Sequence, residues 1–343
     1  MRLYPLLRPL LFTLPPETAH TLALSALSSA HSLGLVRRAA GRTGSSINLM
    51  GLCFANRVGL AAGFDKNGRY VDALGALGFG FIEVGTVTPR AQPGQPRPRL
   101  MRIPGADGLI NRMGFPNDGA TAVAARLARR RFTGVCGVNI GKNAATPIQD
   151  AVRDYLECFA TLAPHSDYVA INVSSPNTQD LRRLQEIEQL QPIVLALGEA
   201  RDALRAATGR RVPLLVKISP DVPQPDLVRL AGFTRQAGVD GIIATNTTVD
   251  RPGIPARWQA EAGGLSGAPL RPLALQTVRS LRAALGNDMT IVAAGGIDSG
   301  EDALDAIRAG ADLVQIYTGL VYRGPALVKE IIGATASRPV TSS

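Results

Sequence analysis

The sequence predicts an α/β fold, a (β/α)8 TIM barrel preceded by an N-terminal amphipathic helical extension, and three observations predict it. Eight apolar runs recur from Val58 onward, each ending in glycine or polar residues and each followed by a helical stretch. The runs are continuous in Val, Ile, Leu and Ala rather than alternating, which is the pattern of strands buried on both faces of a parallel sheet. The length of 343 residues is enough for one barrel plus an extension. A doubly wound sheet is the competing architecture.

The extension comes first. Residues 3–14, LYPLLRPLLFTL, are densely apolar and interrupted by Pro5, Arg8 and Pro9. Residues 16–36 then read as a helix, with Pro15 and Pro16 at its start, Glu17 in the first turn and Leu22, Ala26, Leu33 and Val36 at roughly helical spacing. Two short amphipathic helices edged with arginine suit a segment lying in a membrane interface. Helices packed against the barrel's flank give the same pattern. Residues 37–48, RRAAGRTGSSIN, read as a linker.

Charge sharpens that reading. The chain carries 37 Lys+Arg against 27 Asp+Glu, a formal charge of +10. Residues 1–44 hold Arg2, Arg8, Arg37, Arg38 and Arg42 against Glu17 alone, so four of those ten charges (five minus one) fall in the extension. Such a surplus suits an anionic membrane surface, a nucleic acid or an anionic small molecule. The three cysteines, Cys53, Cys136 and Cys158, lack the number for a disulfide frame and the spacing for a zinc site. The apolar stretch of residues 21–36 is too short and too rich in serine to span a bilayer, so neither a transmembrane helix nor secretion is expected.

The eight runs are VGLAAGFDK (58–66), FGFIEVGTVT (79–88), GVCGVNIGKN (134–143), YVAINVSSPN (168–177), VPLLVKISP (212–220), GIIATNTT (241–248), TIVAAGGID (290–298) and LVQIYTGL (313–320). The longer interval between the second and third leaves room for an insertion. Its segment 92–99, QPGQPRPR, reads as loop or hairpin.

Polar residues gather where the runs end: Asp65 and Lys66, Thr86, Asn139, Asn172 with Ser175 and Asn177, Lys217, Thr245 to Thr247, then Gly295 and Gly296. A barrel collects its reactive groups at this face. The fourth run, passing from YVAI into NVSSPNT, makes Ser175 the candidate reactive group, against the plain reading of a strand-to-loop turn. The set is rich in amides and hydroxyls and has neither histidine nor paired carboxylates, which argues against a glycosidase, a metal hydrolase or a Ser-His-Asp hydrolase. Gly295-Gly296 and Tyr317-Thr318-Gly319 stand where barrels commonly hold a phosphate, and residues 263–267, GGLSG, supply another flexible backbone loop. Lys217, ending an apolar strand, needs an anionic partner if buried; the edge of a reduced flavin is one candidate, and exposure to solvent is the alternative.

The motifs GFDKNG, EVGTVTP, INRMGFPN, NIGKN, NVSSPNT, KISPD, TNTT, GGLSG, AGGIDS and IYTG occur in this order. Taken together, the chain resembles the membrane-associated, quinone-linked class of dihydroorotate dehydrogenases. That resemblance implies FMN as cofactor, oxidation of dihydroorotate to orotate in pyrimidine synthesis, and a membrane quinone as electron acceptor. FMN contacts are implied at Ala62, Gly63, Lys66, Thr86, Asn139 and Asn172, and further along at Lys217, Thr245, Gly267, Gly296, Tyr317 and Thr318. Substrate contacts are implied at Lys66, Asn111, Arg112, Met113, Gly114 and Phe115, with Asn172, Asn177, Asn246 and Thr247.

Asparagines that both donate and accept suit a planar pyrimidine, and Lys66 suits its carboxylate. The resemblance gives Ser175 the role of general base at substrate C5, while hydride leaves C6 for flavin N5. Thr178 or a water would have to help, because serine at its free pKa is a weak base. The soluble class carries cysteine at this position, so Ser175 favours the quinone-linked class. A quinone route is implied beside His20, Arg102 and Tyr317, although a solvated His20 is the competing reading.

The domains implied are residues 1–44 as a helical membrane and quinone-access segment, 45–336 as the FMN barrel and 337–343 as a disordered tail. A monomer at the cytoplasmic side of the cell membrane is expected, with no nucleic-acid partner and no metal. The alternatives are another FMN barrel, such as a tRNA dihydrouridine synthase, and a non-catalytic peripheral membrane barrel that binds nucleotides.

Overall fold

A proline pair opens the second of two N-terminal helices because the first N–H groups of a helix have no intrahelical partner to lose. In the computed structural model, which describes residues 4–36, 46–178 and 181–336, these are α1 (Tyr4–Thr13) and α2 (Pro16–Ser32). α2 stops short of Val36. Gly34 turns into the left-handed region at φ 72°, and the N–H groups of Leu33 and Gly34 bond back to the carbonyls of Ser29 and His31.

Most of the expected linker, residues 37–45, lies outside the described residues, but its end is not linker. β1 (Ile47–Leu49) pairs antiparallel with β2 (Leu52–Phe54) across Met50 and Gly51, whose φ values of 55° and 77° fit a tight hairpin turn. The reason is burial. Ile47 and Phe54 close the bottom of the barrel against Phe81, Val135 and Tyr168, and Phe54 is completely enclosed.

The barrel begins with β3 (Val58–Leu60), α3 (Val71–Gly75) and β4 (Phe81–Val87). The insertion follows as a hairpin of β5 (Leu100–Ile103) and β6 (Gly108–Asn111), lying just after the irregular segment 92–99. Then come α4 (Ala120–Leu127), β7 (Val135–Ile140), α5 (Ala151–Leu162), β8 (Tyr168–Asn172), α6 (Ile187–Thr208), β9 (Leu214–Ile218), α7 (Gln224–Gln236) and β10 (Gly241–Ala244). β11 (Gly264–Gly267) precedes α8 (Arg271–Leu285), β12 (Thr290–Ala294), α9 (Gly300–Arg308), β13 (Leu313–Ile316), α10 (Thr318–Arg323) and α11 (Ala326–Thr335). The strands β3, β4, β7, β8, β9, β10, β12 and β13 close into one parallel barrel in chain order. It is therefore a (β/α)8 barrel rather than a doubly wound sheet, and its strands are the eight apolar runs. The expected glycine loop at 263–267 is instead strand β11, held by antiparallel pairing with β6 in a three-stranded sheet. The tail 337–343 lies outside the described residues.

The bottom of the barrel is held by a repeated device. Asp167, Asp240 and Asp312 each stand one residue before a strand, and each carboxylate accepts the backbone N–H of the preceding barrel strand or its edge, at Cys136 (2.8 Å), Leu214 (2.9 Å) and Ile291 (2.8 Å). Each is paired with an arginine: Arg130, Arg211 and Arg282 respectively. The end of the barrel opposite the polar strand ends thus carries stability rather than chemistry. Inside, Gly59 and Gly137 are required by close approach, because a Cβ at either would run into the ring of Phe81 or Tyr168.

Candidate active site

The polar strand ends do converge. A chamber at the carboxyl end of the barrel is lined by Ala62, Gly63, Lys66 and Thr86 from the first two strands, and by Asn172, Ser175 and Asn177 from β8 and its loop. Lys217, Thr245, Asn246 and Thr247 line it from β9 and β10, and Gly267, Gly296, Tyr317 and Thr318 close the far wall. Asn111, Met113, Gly114 and Phe115 reach it from beyond the inserted hairpin.

Its side chains are held by one another. Asn172 donates to Thr86 Oγ1 (2.8 Å) and Asn139 Oδ1 (3.1 Å), while its own Oδ1 accepts from Ser174 and from Asn246. Asn177 donates to Asn111 Oδ1 at 3.1 Å. Ser175 is 5% exposed, and its Oγ accepts only a long 3.3 Å bond from the Asn177 N–H among the described residues. Lys66 Nζ donates to Gly63 O at 2.7 Å, and burial lowers its ammonium pKa to about 8, with Glu17 opposing and Arg99 reinforcing that shift.

Three buried polar atoms at or beside the chamber have no partner among the described residues: Thr178 Oγ1, Thr247 Oγ1 and Gln315 Oε1. A buried acceptor or hydroxyl left alone is costly, so these atoms fit a ligand with complementary polar edges. The far wall offers backbone at Gly267, Gly295 and Gly296, all at positive φ, beside the hydroxyls of Ser266 and Thr318 at 2.9 Å from each other. This donor set fits the planar ring and phosphate of a flavin mononucleotide.

Behind the chamber lies a second space of opposite character. Leu7, Leu11 and Phe12 of α1, Leu22 and Leu27 of α2, Leu109 of the inserted hairpin and Val321 of α10 line an apolar tunnel. Tyr317 belongs to both spaces, with its ring edge-on to Phe64. His20 and Arg102 bring polar groups to the tunnel wall, as do Tyr4 and Tyr317. His20 Nε2 bonds Phe64 O at 2.8 Å, and burial, reinforced by Lys66 and opposed by that carbonyl, lowers its pKa to about 4, so it is neutral at physiological pH. Arg102 donates to the carbonyls of Leu11, Phe12 and Leu14, closing the end of α1, and stacks 4.5 Å from the Phe12 ring centroid.

Residues 45–337 match the sequence profile of a family described as dihydroorotate dehydrogenase. The chain belongs to the dihydroorotate dehydrogenase family. Among its relatives, a dihydroorotate dehydrogenase (quinone) of Chromobacterium violaceum is 51% identical over 336 residues, covering 97% of this chain and 98% of that one. One from Azotobacter vinelandii is 50% identical, covering 98% and 99%. A crystal structure of DHODH from Eimeria tenella in complex with ferulenol superposes with a TM-score of 0.86 at 36% identity, covering 93% of this chain and 90% of that one. The family is one of oxidoreductases, and the chain is an enzyme of that kind.

Of the residues that the resemblance assigns to FMN and substrate, the structure gathers all but two into the chamber, while His20 and Arg102 lie on the tunnel wall. Asn139 is fully buried beneath the wall, where it donates to Glu83 and accepts from Thr86 and Asn172, and it does not itself line the chamber. Arg112 turns outward to pair with Glu261. Lys217 is buried and already has an anionic partner within the protein, Glu83, at 3.8 Å. Sequence reasoning missed Glu83, Gln315 and Ser266. The signal for the first was available, since Glu83 is a carboxylate inside an otherwise apolar strand.

Proposed function

We propose that this chain oxidises dihydroorotate to orotate on FMN in the barrel mouth and passes the electrons to a membrane quinone in the tunnel. The observation that carries the reading is the back-to-back placement of a polar chamber and an apolar tunnel sharing the Tyr317 side chain. Bound FMN would supply the two-electron chemistry that links them. The relatives named for both substrate and quinone support the same reading.

The chain's own residues do the rest. Lys66 presents a cation to the substrate carboxylate, and Asn111, Asn172, Asn177 and Asn246 present amides to the ring's N–H and C=O groups. Ser175 faces the ring to take the C5 proton. The Thr178 hydroxyl, three residues on and without a hydrogen-bond partner among the described residues, is the group we assign to relay that proton. Ser174 and Asn172 fix the Asn246 amide, so the binding amides are oriented before the substrate arrives.

The N-terminal helices serve the quinone. Of the nine large hydrophobics exposed among the described residues, Leu6, Leu7, Leu10, Leu22, Leu33 and Leu35 all lie in residues 4–36. No helix of the described residues is long and apolar enough to cross a membrane, so this face suits an interfacial attachment beside anionic lipid. The test is the visible spectrum of the purified protein under anaerobic conditions. A flavin band bleached by dihydroorotate, then restored by a quinone analogue and not by NAD or fumarate, is expected. A band that dihydroorotate leaves unchanged overturns the reading.

A further inference from the structure

Resting on the FMN reading above, we infer that Glu83 is a positioning residue for the cofactor. It holds the Lys217 cation and the Gln315 carbonyl oxygen at the floor of the chamber and thereby sets the redox potential of whatever flavin binds there. Glu83 points into the barrel from β4 and has no exposed surface. Four groups face it from four other strands. Asn139 Nδ2 lies 2.9 Å and Lys217 Nζ 3.8 Å from Oε1, while Tyr168 Oη lies 2.9 Å and Gln315 Nε2 2.7 Å from Oε2. Every one of the four can donate, which is the surrounding an ionised carboxylate needs and a protonated one does not.

The consequence for Gln315 follows from that. A carboxylate only accepts, so the amide nitrogen must turn toward Glu83 and the Oε1 atom must turn away. That oxygen is buried, lacks a partner among the described residues and belongs to a residue lining the chamber. Glu83 therefore aims a fixed acceptor at the floor of the site. It also supplies the charge that favours the ammonium form of Lys217, whose pKa burial lowers and Glu83 raises.

The fold makes room for this arrangement. The Tyr168 ring fills the barrel interior where Gly137 has no side chain, and its hydroxyl reaches Glu83 from below. Packing alone does not call for it, because a buried ion pair is commonly replaceable by well-packed apolar residues without loss of stability. Here the pair's two branches, Lys217 and Gln315, both end on the chamber wall.

The experiment compares the midpoint potential of the bound flavin between pH 6 and 9 in the full-length holoenzyme and in Glu83→Gln, Lys217→Met and the double variant. In Glu83→Gln at the acidic end, Lys217 stays charged with no counter-charge, so the potential lies above that of the parent. Removing Glu83 also removes a charge that favours the ammonium form of Lys217, so loss of that proton comes earlier in the variant as pH rises and the potential falls more steeply than in the parent. In the Lys217→Met background the same substitution gives an offset without the extra slope. Potentials that run parallel across the whole range overturn the inference, since a structural disturbance shifts stability without coupling to Lys217. If Glu83→Gln does not fold, Tyr168→Phe removes one donor and keeps every charge. The expected result is then a potential whose course with pH departs from the parent's, because the carboxylate opposite Lys217 is less well held; a parallel course overturns the inference in that variant as well. Flavin content is read first. A folded parent chain that neither carries nor takes up FMN overturns the function proposed above, whereas a flavin-loaded chain with parallel potentials overturns the role of Glu83 alone.

Discussion

Replacing Ser175 by alanine separates chemistry from architecture better than any other single change at this site. The structural loss is small: the Oγ atom accepts one bond of 3.3 Å from the Asn177 N–H. A bond that long belongs at the low end of the range for a net hydrogen bond, about 0.5 kcal/mol. The chemical loss is large if the hydroxyl takes the C5 proton, because a positioned general base contributes roughly 10²- to 10⁴-fold. In barrier terms that is about 2.7 to 5.5 kcal/mol, several times the stability change. Stopped-flow reduction of the flavin by dihydroorotate, under anaerobic conditions and with substrate deuterated at C5, reads the first quantity; thermal unfolding and orotate affinity read the second. The expected variant binds FMN and orotate nearly as the parent does and is reduced orders of magnitude more slowly. Reduction at the parental rate would remove Ser175 from the mechanism. A slow variant that has also lost orotate affinity in proportion would make the side chain a binding group only.

Other consequences follow from the same geometry. Deleting residues 1–44 removes the α1 and α2 walls of the tunnel and should leave reduction by dihydroorotate intact while impairing reoxidation by a long-chain quinone; undiminished reoxidation would reduce the helices to packing. Lys66 has a folded pKa lowered to about 8, so its ammonium is present below that pH and lost above it. Orotate affinity should accordingly weaken by roughly tenfold between pH 7 and 9 in the parent. The pH trend should vanish in Lys66→Met; an affinity flat with pH in the parent contradicts the assignment of Lys66 to the carboxylate. Gly137→Ala would press a methyl group into the Tyr168 ring and should cost about 1 to 3 kcal/mol by overpacking. Chemical denaturation measures that, and an unchanged midpoint would mean that the ring has another place to go.

Reading the chain without its structure went furthest where burial leaves a local trace. The eight strands were legible because each is buried on both faces, so each is a short continuous apolar run, and the strand order in the barrel simply follows the chain. The polar strand ends were legible for the same reason, being interruptions of those runs. Errors fell where pairing partners are distant. Residues 263–267 look like a glycine loop, yet they become β11 because Gly264 meets Asn111 and Gly267 meets Gly108 in an antiparallel ladder. Ile47 looks like the end of a linker, and only the open bottom of the barrel gives it, with Phe54, something to close.

By itself, then, the sequence determined the barrel, the position of the reactive face, and the amides, hydroxyls and lysines gathered there, because these depend on local periodicity and on which residue follows the last apolar one. Tertiary structure alone decided which of those groups touch. Glu83 meets Tyr168, Gln315 and Lys217 across separations of 85, 232 and 134 residues (217 minus 83). Tyr317 becomes a wall shared by two chambers because α1 and α2 pack against the barrel's flank. No local pattern encodes such meetings, since closing a barrel brings the ends of eight strands to one place at once, whatever the length of chain between them.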